Sequence, residues 1–151
     1  MKTLPQPFTE GIHWRKLRPD ERGGAPWKYV LLQDVKLRFY GQVCFGNYYL
    51  HDGGSRHWGS LTPNFIMVCK GYAWNGSSCS PDLPGVMLSS VVHDLLYQFS
   101  GVAGFPFSRS FCDDVFYAAA TTRLALAYRL GLLVGGWACW GRKEDGLYII
   151  S

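Results

Sequence analysis

The chain has 151 residues, of which 48% are apolar and 17% charged, and it carries a formal charge of +4. That length and composition exclude intrinsic disorder and suit one domain with a sizeable core. The charge is mild and no dense Lys/Arg block exists, so a nucleic-acid partner is not expected. An anionic surface such as a phospholipid membrane remains compatible.

Five cysteines, Cys44, Cys69, Cys79, Cys112 and Cys139, are widely spaced without a C-x-x-C pair. This spacing excludes a zinc ribbon and argues against a disulfide framework, so each cysteine reads as a small buried hydrophobe in a reducing compartment. Met1 to Thr9 holds two prolines and no apolar run, so no signal peptide is expected.

Residues 1–26 read as an extended, loop-rich entry, with Arg22-Gly23-Gly24 as a break. Strands follow to residue 72. Val35, Leu37 and Phe39 alternate with Lys36, Arg38 and Tyr40, a period of two that turns the first set inward. Asn47 to Leu50 and Asn64 to Val68 are further short strands. His51 to Ser60 contains Asp52-Gly53-Gly54 and reads as a turn or loop.

Residues 71–85 are rich in glycine, serine and proline and read as a loop with no regular element. After Pro84 the period changes. Val91, Val92, Leu95, Leu96 and Phe99 recur at helical spacing, and Ser100-Gly101 stops the helix. A second helix is expected from near Ser110, with Ser110-x-x-Asp113 as a capping box. Its face is marked by Phe116, Tyr117, Ala120, Leu124 and Tyr128, and Gly131 ends it.

Leu124 to Trp140 is the longest apolar stretch, about 17 residues, short for a membrane span and interrupted by Arg129. It reads as buried helix plus turn or strand, or as a segment lying on a membrane surface. Gly146 to Ser151 reads as a last short strand. The layout is one α+β domain over 1–151: a small antiparallel sheet region over 1–72, a loop over 73–85, two helices over 86–130 that form the core and carry the site, and a turn or strand over 131–151.

The chemistry concentrates in His93-Asp94-Leu95-Leu96-Tyr97. His93 and Tyr97 are four apart and share a helix face, and Asp94 is turned about 100° from His93. A histidine and a carboxylate on an apolar helix are costly to bury without partners. On the second helix, Asp113 or Asp114 is placed to accept a hydrogen bond from a His93 ring nitrogen, which would fix the tautomer and leave the other nitrogen as a base. The glycines of the preceding loop are able to turn carbonyls toward a hard cation. The bland alternative is a buried polar network that fixes helix packing, with Asp113 serving only as a cap. A His-Asp metal phosphohydrolase ranks last, because His13, His51 and His57 fall in loop or strand regions.

Gly71 to Ala120 resembles a family of small proteins found in tailed phages and prophages. The likeness lies in a Gly-rich loop with Trp74-Asn75-Gly76-Ser77-Ser78, a helix with His-Asp-x-x-Tyr, and an acidic helix. It covers about a third of the chain. The resemblance implies a phage protein of the virion or the host cytoplasm, with a membrane surface or another phage protein as partner. The His-Asp-x-x-Tyr helix followed by Cys112-Asp113-x-x-Phe116 is also similar to the active-site helices of phospholipase A2, above all the disulfide-poor form carried in parvovirus capsid proteins. That resemblance implies a calcium-dependent hydrolase. His93 would be the general base, Asp113 would orient it and Tyr97 would support the network. Calcium would be held by Asp94 and by backbone carbonyls at Gly71, Trp74 and Gly76.

Overall fold

The computed structural model describes residues 4–9, 11–21, 27–51, 57–75, 84–99 and 107–120. Among these residues eight short strands come first: β1 (Pro7–Phe8), β2 (Trp14–Lys16), β3 (Tyr29–Leu31), β4 (Val35–Phe39), β5 (Tyr48–His51), β6 (His57–Leu61), β7 (Phe65–Val68) and β8 (Ala73–Trp74). Two helices follow, α1 (Met87–Phe99) and α2 (Arg109–Ala119). The fold is therefore α+β with the helices after the strands, as the sequence pattern implies.

Every strand pair is antiparallel. One sheet has five strands in the order β1-β4-β7-β6-β5, and the other has three in the order β2-β3-β8. The period-two reading of β4 holds: Val35, Leu37 and Phe39 are buried while Lys36 and Arg38 are half-buried on the other face. Leu37 lies opposite Ile66 of β7, and Ile66 opposite Leu61 of β6. This apolar face meets α1, whose Val91, Val92, Leu95 and Leu96 are fully buried in the same core cluster. Tyr29, Leu31 and Trp74 bring the three-stranded sheet into that cluster. Burial of this kind is the main favourable term, on the order of 2 kcal/mol per large aliphatic side chain.

The structure corrects several local expectations. The 51–60 segment is not all loop, because His57–Leu61 forms β6. Its His-Trp-Gly-Ser sequence has no strand-like alternation, and its glycine serves packing rather than turning. A Cβ on Gly59 would stand 2.4 Å from the Met67 carbonyl oxygen and 2.6 Å from Leu95 Cδ2. The 71–85 segment is not all loop either. Ala73–Trp74 forms β8, held by pairing to β3. The entry region holds β1 and β2, which draw their order from partner strands rather than from their own sequence.

The second helix also differs at both ends. Ser108, not Ser110, caps α2, its hydroxyl accepting from the Phe111 amide at 3.1 Å. The helix stops at Ala119, and Ala120 is extended. Two β-branched residues, Thr121 and Thr122, follow in the sequence, where helix propensity is lower. The expected Leu124–Tyr128 face, the Gly131 stop, the Leu124–Trp140 stretch and the last strand lie outside the described residues. Among the described residues no helix is long and apolar enough to cross a membrane. Cys44 and Cys112 are buried and Cys69 half-buried, all three as free thiols.

Candidate functional site

The site is built where α1 crosses α2. Met87, Val91, Val92, Leu95 and Leu96 of α1 are committed to the core, which turns His93 and Tyr97 together toward α2. Their rings lie 3.9 Å apart between centroids, and Phe116 of α2 meets the His93 ring edge-on at 5.5 Å. Between these rings sits Asp113, fully buried.

His93 Nε2 donates to Asp113 Oδ1 at 2.9 Å, and the Tyr97 hydroxyl donates to the same oxygen at 2.6 Å. Asp113, rather than Asp114, is thus the partner of His93. A buried carboxylate accepting two such bonds holds the Nε2–H tautomer of the neutral ring and leaves Nδ1 with the lone pair. Nδ1 stands 3.9 Å from Asp94 Oδ1, long for a hydrogen bond but close enough for the charges to attract. Asp94 forms the open flank of the cluster, with its side chain 21% exposed, whereas His93 is 5% exposed.

Burial of His93 opposes its charged form. The Asp113 hydrogen bond and the Asp94 and Asp113 charges outweigh that penalty, and the imidazolium is held above its ordinary range. The second oxygen of Asp113, Oδ2, is buried without a hydrogen-bond partner among the described residues, so His93 and Tyr97 carry the compensation for this carboxylate. Burial, and then the bond to Asp113, push the Tyr97 phenol well above its usual range, so it remains a donor. Burial does the same to the neighbouring Cys112 thiol, which is no nucleophile.

Two aromatic residues clamp α1 on either side of His93. Trp74 Nε1 donates to Ser90 Oγ at 3.0 Å, and the Tyr72 hydroxyl donates to Gln98 Oε1. Ser90 and Gln98 are eight residues apart, about 12 Å along the axis, and bracket the His93–Tyr97 pair. Burial and the charge of Asp94 hold the Tyr72 phenol protonated. Sequence reading missed Tyr72, Ser90 and Gln98 in this role. The only signal was the placement of two large aromatics two residues apart before a helix that carries polar residues.

Of the residues expected to hold calcium, Asp94 lies on α1 and the described loop residues lie before it in and beside β8. Trp74 lies in β8, and its carbonyl accepts the Lys28 amide at 3.0 Å. Gly71 has a φ of 88° and donates its amide to the Leu31 carbonyl. Gly76 lies outside the described residues. No group of three or more His, Cys, Asp or Glu side chains able to hold a metal occurs among the described residues. His13, His51 and His57 all lie off the helices, with His51 on β5 and His57 on β6. His57 Nε2 instead meets Ser60 Oγ at 2.9 Å.

The arrangement is able to do one kind of chemistry. A histidine held from behind by a carboxylate, with its other nitrogen turned toward a partly open flank, is able to accept a proton from water or a hydroxyl. Compared with known proteins, the chain matches no family model, no curated protein and no solved structure.

Proposed function

We propose that the chain is a hydrolase of the phospholipase A2 kind, encoded by a phage or prophage. His93 acts as general base on water, Asp113 holds its tautomer and Tyr97 supports Asp113. The observation that supports this reading is the convergence of His93 Nε2 and the Tyr97 hydroxyl on one oxygen of a fully buried carboxylate, with Nδ1 on the Asp94 side. In such a step Nδ1 takes a proton from water as its oxygen attacks the ester carbonyl, and the imidazolium, stabilised by Asp113, returns that proton to the leaving alkoxide as the ester C–O bond breaks. Calcium at Asp94 would supply polarisation of that carbonyl. Asp94, with backbone carbonyls at Gly71, Trp74 and Gly76, would hold the ion.

The second reading is a non-enzymatic phage protein in which the same groups lock two helices together. It is favoured by the near-complete burial of His93 and Asp113.

Fatty-acid release from phosphatidylcholine vesicles, with and without added calcium, separates the two. The hydrolase reading expects release by the wild type and loss in His93→Gln at an unchanged fold. No release by the wild type under either condition, with His93→Gln merely lowering Tm, establishes the structural lock.

A further inference from the structure

A second polar cluster lies on the opposite face of the five-stranded sheet. Lys36 and Arg38 alternate along β4 with Val35, Leu37 and Phe39. Those three belong to the core that includes α1, so the two cations face away from the His93 site. Both are half-buried, and neither forms an ion pair with any described carboxylate. Two like charges held side by side on one strand face without acidic partners are unfavourable. Phe65 of β7 lies opposite Arg38 and steadies both stems. Lys36 Nζ is 4.8 Å and Arg38 Cζ 6.0 Å from its ring centroid.

The two cations line a cavity of about 290 Å³. Thr9, Gly11, His13, Gln33, Asp34 and Val35 complete the described lining. The one described carboxylate in the wall, Asp34, is turned to the Lys70 amide, its Oδ1 accepting at 2.6 Å. The wall thus offers a guanidinium fork, an ammonium, an imidazole and a side-chain amide around a space the size of a small headgroup. We infer that this cavity is a binding site for a phosphate group, either free or carried on a lipid headgroup. It is independent of the hydrolase reading, since it shares no residue with the His93 cluster.

Titration calorimetry with inorganic phosphate tests the site on the wild type and on Lys36→Gln and Arg38→Gln. Each variant is expected to weaken binding about tenfold, as loss of one charge-assisted hydrogen bond does. In a parallel NMR titration of the wild type, phosphate should shift the His13 ring and leave that of His93 in place. This readout does not depend on how well the variants fold. Phosphatidylcholine vesicles with and without phosphatidic acid identify the source. Preferential retention on phosphatidic acid, competed by inorganic phosphate, assigns the site to headgroups. Equal retention on both vesicles, with phosphate still bound in solution, assigns it to a soluble phosphate compound. Absence of both heat and a His13 shift in the wild type overturns the proposal, as does phosphate binding undiminished in both variants.

Discussion

Leu95 of α1 lies directly on Gly59 of β6, so close that a Cβ there would meet Leu95 Cδ2 at 2.6 Å and the Met67 carbonyl oxygen at 2.4 Å. The helix that carries His93 is therefore seated on the sheet at a position where only glycine fits. Leu95 is two residues from His93, so any shift of α1 at this point is passed to the bond with Asp113. Gly59→Ala should destabilise the protein by about 3 kcal/mol, the upper end for overpacking, because one of the clashing atoms is backbone. Chemical denaturation checks this. A cost below about 1 kcal/mol would show that α1 is not held at Gly59.

Tyr97→Phe removes one of two donors from a buried carboxylate while keeping the ring beside His93. A hydrogen bond to a charged acceptor contributes about 1.5–3 kcal/mol, and a loss in that range is expected from denaturant unfolding. Tyr97→Phe should also leave Asp113 more dependent on His93. The coupling between His93 and Asp113 in a double-mutant cycle should be larger in the Tyr97→Phe background than in the wild type.

The raised pKa of His93 sets the pH dependence of stability and, if His93 is the proposed base, an opposite one for hydrolysis. The folded state binds the His93 proton more tightly than the unfolded chain, whose histidine titrates near 6.5. This contribution is fully present below about pH 6.5 and is lost as pH rises through the higher folded value. A general base must be neutral, so hydrolysis should rise over the same interval. Denaturation midpoints and initial rates across pH 6–9 check the pair, a range set by the direction of the shift. Rates that fall with pH there would remove His93 from the base role.

Trp74 ties α1 to the three-stranded sheet. Its indole bonds Ser90 and its carbonyl is taken by Lys28. Trp74→Phe should lower stability by about 1–2 kcal/mol through the lost hydrogen bond and the smaller ring. Denaturant unfolding checks this, and an unchanged midpoint would show that the indole does not hold α1.

The helix start offers a smaller test. Ser108→Ala removes the cap of α2 and should cost about 1 kcal/mol, whereas Ser110→Ala should cost only a few tenths. Thermal unfolding of the two variants side by side distinguishes the caps.

The parts legible in the sequence were those with strong periodicity. β4 announces itself by Val35-Lys36-Leu37-Arg38-Phe39, and α1 by its Val91–Phe99 spacing. The pairing of His93 with the second helix was legible because that helix carries two adjacent carboxylates, Asp113 and Asp114, able to accept from the ring. The choice between Asp113 and Asp114 was not legible, since it depends on the rotation of α2. β6 and β8 were illegible for a physical reason. Neither segment shows a period-two pattern; β8 is ordered by pairing with β3, far back in the chain, and β6 by the flanking β5 and β7. Trp74 illustrates the cost of a local reading: in a glycine-rich stretch it reads as loop, yet tertiary pairing makes it a buried strand residue.

The most direct test of the account is nitrogen NMR of the His93 ring across a pH titration. The account predicts that neutral His93 is protonated at Nε2, toward Asp113, and that the ring titrates above 6.5. A ring protonated at Nδ1, or one that titrates below 6.5, would contradict it, because Nδ1 would then have neither the free lone pair nor the charge stabilisation that a base held by Asp113 requires.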